Sequence, residues 1–573
     1  WKSLIAFLLC MAMLFAGGLP ALAQEEGYQV NNEIAGFVVR ERTRLELVNA
    51  DVTVLEHGKT GATVMLLLNE DTNRAFDISF RTPVVNDTGL PHVFEHATLG
   101  GSMKYPSQAL FFNLIHQTYN TFMNAMTTDL ITTYPVASLS EKQLLKYVDY
   151  YVDSTFNPLL MQEENIFREE AWRYAMADQD APLTLAGTVY TEMQGAYSIE
   201  TAAMFNFRKT LFPGSQAGNS YGGHPAHIPQ MTWDDLKNYH NDYYHPSNSL
   251  SLLYGKIEDV PAFLTLLDGY FSKYEKKEFA FEDADYTPIT APVQQQYDFA
   301  VEAGSDTANG AVVYYGYALT DATQADEDAL DLLTTLLNEA SSPFQQAMKK
   351  QLPSANARCY YDNASPEISV VFQATGMKAE DAPLFQQVVE ESLAGIREHG
   401  FDLTAVEAVA AATRISLLLS TESASVGTDV APSIAYMWAA TGRTDAYSRY
   451  VDNTANYVPY AEQGVYQQVI AKHLTDNPRT ALVVTAPVPG LKEQENQALA
   501  EELAAKKAAM TAEEIDAIVA STAAAGAPAQ DDSAQLVASL QAVTVDTLPE
   551  ERRIYTISDE AGEDGVRRMH AQA

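Results

Sequence analysis

Cysteine is almost missing from this chain: its 573 residues include two, Cys10 and Cys359. Cys10 falls in an N-terminal apolar run that reads as a cleavable leader, so Cys359 is left alone and no intrachain disulfide can form. Cys359 suits a small buried hydrophobe better than a nucleophile. Basic residues are scarce as well. The chain carries 36 Lys and Arg against 75 Asp and Glu, a formal charge of −39. That balance argues against nucleic acid and anionic membrane surfaces as partners and favours neutral or basic substrates. The apolar run over residues 4–15 is too short to cross a membrane comfortably, so no stable membrane anchor is expected. Lys2 ahead of that run and Ala21-Leu22-Ala23 behind it fit a secretory signal over residues 1–23. A secreted, extracellular or cell-envelope protein is the expectation. What remains has an ordinary globular composition, 47% hydrophobic and 19% charged, in a length that suits two to four domains.

The chain is organised around Asp87-Thr88-Gly89-Leu90-Pro91-His92-Val93-Phe94-Glu95-His96, followed by Ala97-Thr98-Leu99-Gly100. Asp87 or Thr88 can cap a helix start, Pro91 is tolerated in a first turn, and Gly100 can stop the helix. On such a helix His92 and His96 are one turn apart and project from one face, with Glu95 beside them. Two neutral imidazoles in that relation can grip one divalent ion, and the carboxylate can take a proton from water at that ion. The pattern H-x-x-E-H is the inverted zincin motif. A catalytic zinc has three protein ligands and an open position. Glu163, Glu164, Glu169, Glu170 and Glu192 are candidates for the third, with spacing and surroundings favouring Glu192. Glu169 and Glu170 read as helix-face charges, and His224, His227, His240 and His245 as surface or loop-packing residues.

Strand patterns at 52–56, 63–68 and 76–80 precede this helix. Helices are expected at 108–117, 141–153, 163–177, 185–197 and 233–243, with strands at 131–137 and 249–255. The elements do not alternate strictly, so the fold class is α+β, a mainly antiparallel sheet with helices on one face. From about residue 296 a similar order returns: a strand at 311–317, a helix at 326–340 without histidine, a strand at 368–374, and long helices over 381–420. Two related domains, one catalytic and one silent, are the simplest reading. An Ala/Glu/Lys-rich segment over 491–510 and the capping box Thr511-Ala512-Glu513-Glu514 open a helical hairpin, with a break at 523–533. A strand at 553–557 begins something further, and the start at Trp1 suggests a fragment.

Val189-Tyr190-Thr191-Glu192-Met193-Gln194-Gly195 resembles the N-E-M-K-G-like segment of the presequence-protease branch of the pitrilysin/insulysin M16 zinc metallopeptidases. Gly100-Gly101-Ser102-Met103-Lys104-Tyr105-Pro106, Thr121-Phe122-Met123-Asn124-Ala125-Met126-Thr127, Tyr134-Pro135-Val136-Ala137-Ser138, Tyr221-Gly222-Gly223 and Tyr243-Tyr244-His245-Pro246-Ser247-Asn248 also resemble that branch. The resemblance implies one Zn2+ per chain held by His92, His96 and Glu192, with Glu95 as general base and Asn124 holding the substrate backbone. It implies two M16 domains with a LuxS-like fold over 24–275 and 290–488. A helical-hairpin linker over 490–545 and the start of a missing third domain over 546–573 would follow. It further implies a zinc metalloendopeptidase that degrades unfolded peptides of modest length in a chamber closed by a C-terminal half. That half would supply an arginine and a tyrosine for the oxyanion. The alternative is a non-catalytic peptide-binding or structural half of an M16-type assembly; zinc scavenging without cleavage is a third reading.

Overall fold

The computed structural model describes residues 28–279, 288–363, 367–525 and 532–544, together with the backbone of two paired strands, Thr556–Ala561 and Arg567–Gln572. The expected leader over 1–23 lies outside the described residues, as do 553–555 of the expected terminal strand and most of the break at 523–533.

Phe37–Leu45, Ala50–His57 and Thr63–Leu68 form an antiparallel meander. Ser249–Gly255 then inserts between Thr63–Leu68, to which it runs parallel, and Arg74–Arg81, to which it runs antiparallel. The expected strand over 131–137 is two strands, Ile131–Thr133 and Val136–Ser138. The break falls at Tyr134-Pro135, where proline has no N–H to give a ladder. The result is a ten-stranded, mainly antiparallel sheet.

Alternation along these strands makes two buried faces. Val64, Leu66, Phe76, Ile78 and Phe80 point to one side, where helices Leu90–Thr98, Glu141–Phe156, Trp233–Tyr243 and Val260–Phe271 cover them. Glu141–Phe156 shows why: Leu144, Tyr147, Val148 and Tyr151 share one helical face and are fully buried, and the Ser140 hydroxyl caps its start by accepting from the Gln143 amide. Val52, Val54, Met65, Leu67, Leu252 and Tyr254 point to the other side.

The second sheet has five strands in the order Val293–Val301, Thr480–Pro489, Ala311–Ala318, Ser369–Met377, Asn356–Asp362. Helices Gln324–Asn338, Pro343–Gln351 and Ala382–His399 cover one of its faces. The remaining face of each sheet is covered by a helix from the other unit. Val426–Thr441, which follows the second unit's long helices, lies on the first sheet through Val430, Ala431, Ile434, Ala435 and Trp438. Ile199–Leu211 of the first unit lies on the second sheet through Ala203, Phe207 and Leu211. The two units therefore share their cores.

Leu491–Ala508 and Ala512–Ala525 follow as two helices, and Leu503 of the first packs on Met176 and Leu183 of the first unit. Thr511 and Glu514 exchange hydrogen bonds at the start of the second helix, at 2.8 and 3.2 Å. Helix Ala534–Leu540 then returns to the first core through Val537 and Leu540.

Candidate metal centre and active site

The histidine helix Leu90–Thr98 starts differently from the expectation. Its cap is Gly89 in the left-handed region (φ 74°), with no side-chain cap. Asp87 turns instead to the 220s, accepting from the Ser220 amide at 2.8 Å and from Lys209 Nζ at 2.8 Å. These interactions hold its carboxyl below the usual carboxylate range even though burial opposes them. A Cβ on Gly89 would lie 2.7 Å from Gly223 Cα, so the two backbones are in direct contact. That contact sets the Gly222 carbonyl 3.0 Å from His92 Nδ1. A carbonyl only accepts, so Nδ1 carries the proton and the Nε2 lone pair is free.

His96 is arranged in the same sense, with Nδ1 3.3 Å from Glu170 Oε2. The two imidazole rings lie 4.9 Å apart and nearly perpendicular. The inner face of the same helix, Val93, Phe94 and Ala97, is fully buried, and Phe94 lies 4.3 Å from Tyr244 and 5.3 Å from His240 between ring centres. His240 is thus a core residue; burial pushes its imidazole down to about 4. His224 packs on Tyr197, His227 lies 3.7 Å from Asp87, and the half-buried His245 packs on Tyr274.

Glu192 enters from helix Thr188–Ala196, whose Met193 packs on Gly222. Its carboxylate oxygens lie 3.8 Å from His92 Nε2 and 3.6 Å from His96 Nε2. The three donor atoms all fall within 4.8 Å of one another. Two imidazole nitrogens with free lone pairs and one carboxylate oxygen match the donor set of a catalytic zinc. The residues fit the metal that the resemblance implies.

Glu95 is 8% exposed on the same helix. Burial raises its carboxyl above the usual range, with Glu192 adding to the shift and His92, His96 and Thr127 opposing it. The Thr127 hydroxyl donates to Glu95 Oε2 at 2.7 Å. Burial would depress His96, but Glu170, Glu95 and Glu192 outweigh it and hold the imidazole above its ordinary value. Asn124 is exposed in the turn between Phe122–Met123 and Met126–Thr127; its amide donates to Pro135 and its carbonyl accepts from Tyr151.

The structure brings His92, His96, Glu192 and Glu95 together and leaves Asn124 outside their contacts. Thr127 and Gly222 were not singled out from the residues, and Glu170, which the sequence offers as a third ligand or a helix-face charge, instead lies against His96 Nδ1. Thr127 and Gly222 lie inside the quoted blocks around residues 121–127 and 221–223, which is the signal that marked their neighbourhoods.

Two family models match the chain, Insulinase (Peptidase family M16) over residues 84–197 and Peptidase M16 inactive domain over residues 230–413. The first match contains all four site residues. The chain belongs to the M16 peptidase family. It is 27% identical over 484 residues to Protein HypA of Clostridium perfringens, covering 83% of this chain and 49% of that one. It is 30% identical over 425 residues to the mitochondrial presequence protease of Mus musculus, covering 72% of this chain and 40% of that one. This M16 chain therefore spans about half the length of the curated relatives it matches. Among solved structures, a protease from Helicobacter pylori superposes with a TM-score of 0.58 at 19% identity, covering 78% of this chain and 99% of that one, which shows the shared fold.

The comparisons overturn the expected address. The mouse relative is named mitochondrial, not secreted or envelope-bound. A short apolar run behind a single lysine is too general a pattern to fix an export route.

Proposed function

We propose that this chain is a zinc metalloendopeptidase that hydrolyses unfolded peptides of modest length, with Glu95 as general base. One observation carries the reading: donor atoms of His92, His96 and Glu192, from two separate helices, lie within 4.8 Å of one another beside the buried carboxylate of Glu95. These three residues would hold one zinc ion. When bound, zinc supplies Lewis acidity toward water and toward a peptide carbonyl. Glu95 handles the proton. One of its oxygens accepts the Thr127 hydrogen bond, which leaves the other to take a proton from the attacking water and return it to the departing amine. Burial raises the carboxyl above its ordinary range, the direction that suits a general base. The Gly222 carbonyl and the Glu170 carboxylate keep both Nε2 atoms turned to the centre. A net charge of −39 favours neutral or basic peptides. A further half closing over the peptide, as the resemblance implies, accounts for the size limit.

The test is cleavage of a quenched fluorogenic peptide of about twenty residues by the purified chain, with and without chelator and with Glu95→Gln as control. General-base loss is expected to lower turnover about 100- to 10,000-fold while zinc stays bound. Cleavage that persists in chelator or in Glu95→Gln overturns the mechanism. No cleavage by a chain that holds one zinc overturns the proposal for this chain alone.

A further inference from the structure

We infer that Glu170 is a positioning residue for the metal centre, fixing His96 through Nδ1 and setting how tightly the site holds its cation. The inference rests on the metal reading above and adds a residue to it. The two histidines have different supports. His92 Nδ1 faces a neutral carbonyl, Gly222 O at 3.0 Å, whereas His96 Nδ1 faces a carboxylate, Glu170 Oε2 at 3.3 Å. A carboxylate that accepts from Nδ1–H fixes the ring and its tautomer and makes Nε2 a stronger electron donor. His96 is therefore the ligand whose strength the protein sets with a charge.

The placement of Glu170 is built into the backbone. It is the last residue of helix Glu164–Glu170, and the chain leaves helical geometry at Ala171 (φ −78°, ψ −83°). Gly187, the cap of helix Thr188–Ala196, presses on that corner: a Cβ there would lie 2.4 Å from Ala171 O. The Thr188 hydroxyl also donates to Glu169 O at 3.1 Å. One junction thus registers the carboxylate that supports His96 against Glu192, the carboxylate that reaches both histidines. Neighbouring Glu169 lies on the same corner, but the contact with His96 Nδ1 is made by Glu170.

The experiment is a zinc competition titration of the metal-stripped full chain against a chromogenic chelator, run on wild type, Glu170→Ala, Glu170→Gln and Glu169→Ala, with metal-free thermal melts alongside. Glu170→Ala should weaken zinc about 10- to 100-fold. Glu170→Gln, which keeps a neutral acceptor like the one at His92, should recover part of that loss. Glu169→Ala should bind as wild type does, and the melts of Glu170→Gln and wild type should coincide. Should Glu170→Ala fail to fold, Glu170→Gln decides. Wild-type zinc affinity in the Glu170 variants, or an equal loss in Glu169→Ala, overturns the inference while the metal reading stands. A wild-type chain without zinc affinity overturns the metal reading and this inference together.

Discussion

Thr127 has no charge and belongs to no metal motif, yet its hydroxyl is what holds Glu95 Oε2. A hydrogen bond to a charged group contributes about 1.5–3 kcal/mol, so Thr127→Val should lower kcat about 10- to 100-fold. KM and zinc content should stay as they are, and Thr127→Ser should restore most of the rate; steady-state kinetics with metal analysis decides. A second residue carries a pH signature. Asp77 is fully buried among Ser79, Thr133 and the Tyr134 amide, and burial, which outweighs those hydrogen bonds, pushes its carboxyl from 3.8 up to about 6. The folded state holds this proton more tightly than the unfolded one. Its contribution to stability is therefore full below about pH 3.8 and lost as pH rises through about 6, a change on the order of 3 kcal/mol. Urea denaturation at several pH values should show Asp77→Asn gaining on wild type across that window; parallel pH profiles would refute the assignment. At this scale the H-x-x-E-H spacing was legible because it is local. The partners that complete it come from 32, 74 and 130 residues away, as Thr127, Glu170 and Gly222, and no spacing rule reaches that far.

Elements with one strong apolar face were legible in the sequence. Trp233–Tyr243 is found where its periodicity puts it, and Glu141–Phe156 runs three residues past its expected end. The stretch over 163–177 was read as one helix and is not. It is helical only over Glu164–Glu170; Trp172 Nε1 then donates to Met231 O at 2.8 Å, and Arg173–Ala175 pairs with Thr184–Ala186 as a two-stranded ribbon. Local propensity lost to these distant partners. Gly187 stands where ribbon becomes helix, at φ 150°, and a Cβ on it would lie 2.4 Å from the Ala171 carbonyl oxygen. No side chain fits there without moving one helix from the other. Gly187→Ala should therefore cost about 3 kcal/mol or more and weaken zinc binding together with folding. Gly195→Ala, where a Cβ meets open space, is the control and should be close to neutral in both thermal melts and zinc titration.

The helix Val426–Thr441 went unread because Pro432 interrupts its pattern, although Val426, Val430, Ile434 and Trp438 form a buried apolar row. Beside that row runs one of small residues at every fourth position, Gly427, Ala431, Ala435 and Ala439, and a Cβ on Gly427 would already lie 2.5 Å from the Tyr254 ring. Such a row lets a helix lie flat on a sheet, and here the sheet belongs to the other unit. Arg208 joins the units electrostatically. Its guanidinium donates at 3.0 Å to Asp129 of the first unit and at 3.0 Å to Asp362 of the second, and Tyr436 donates to Asp129 from the exchanged helix at 3.0 Å. All three charged side chains are at most 13% exposed. Burial raises the Asp129 carboxyl above the usual range, with Arg208 opposing and Asp362 adding to the shift, so removing the arginine takes the shared cation from two buried carboxylates. Arg208→Met should cost about 3–5 kcal/mol in urea denaturation. The triple variant Arg208→Met, Asp129→Asn, Asp362→Asn should recover most of that, because the stranded charges leave with their partner. Asp129 lies two residues beyond Thr127. If the second unit steadies the hydroxyl that holds Glu95, the single variant should also lose kcat at temperatures where it is fully folded, and the triple variant should regain it. Stability restored without kcat would show that Arg208 joins the units but leaves Thr127 untouched.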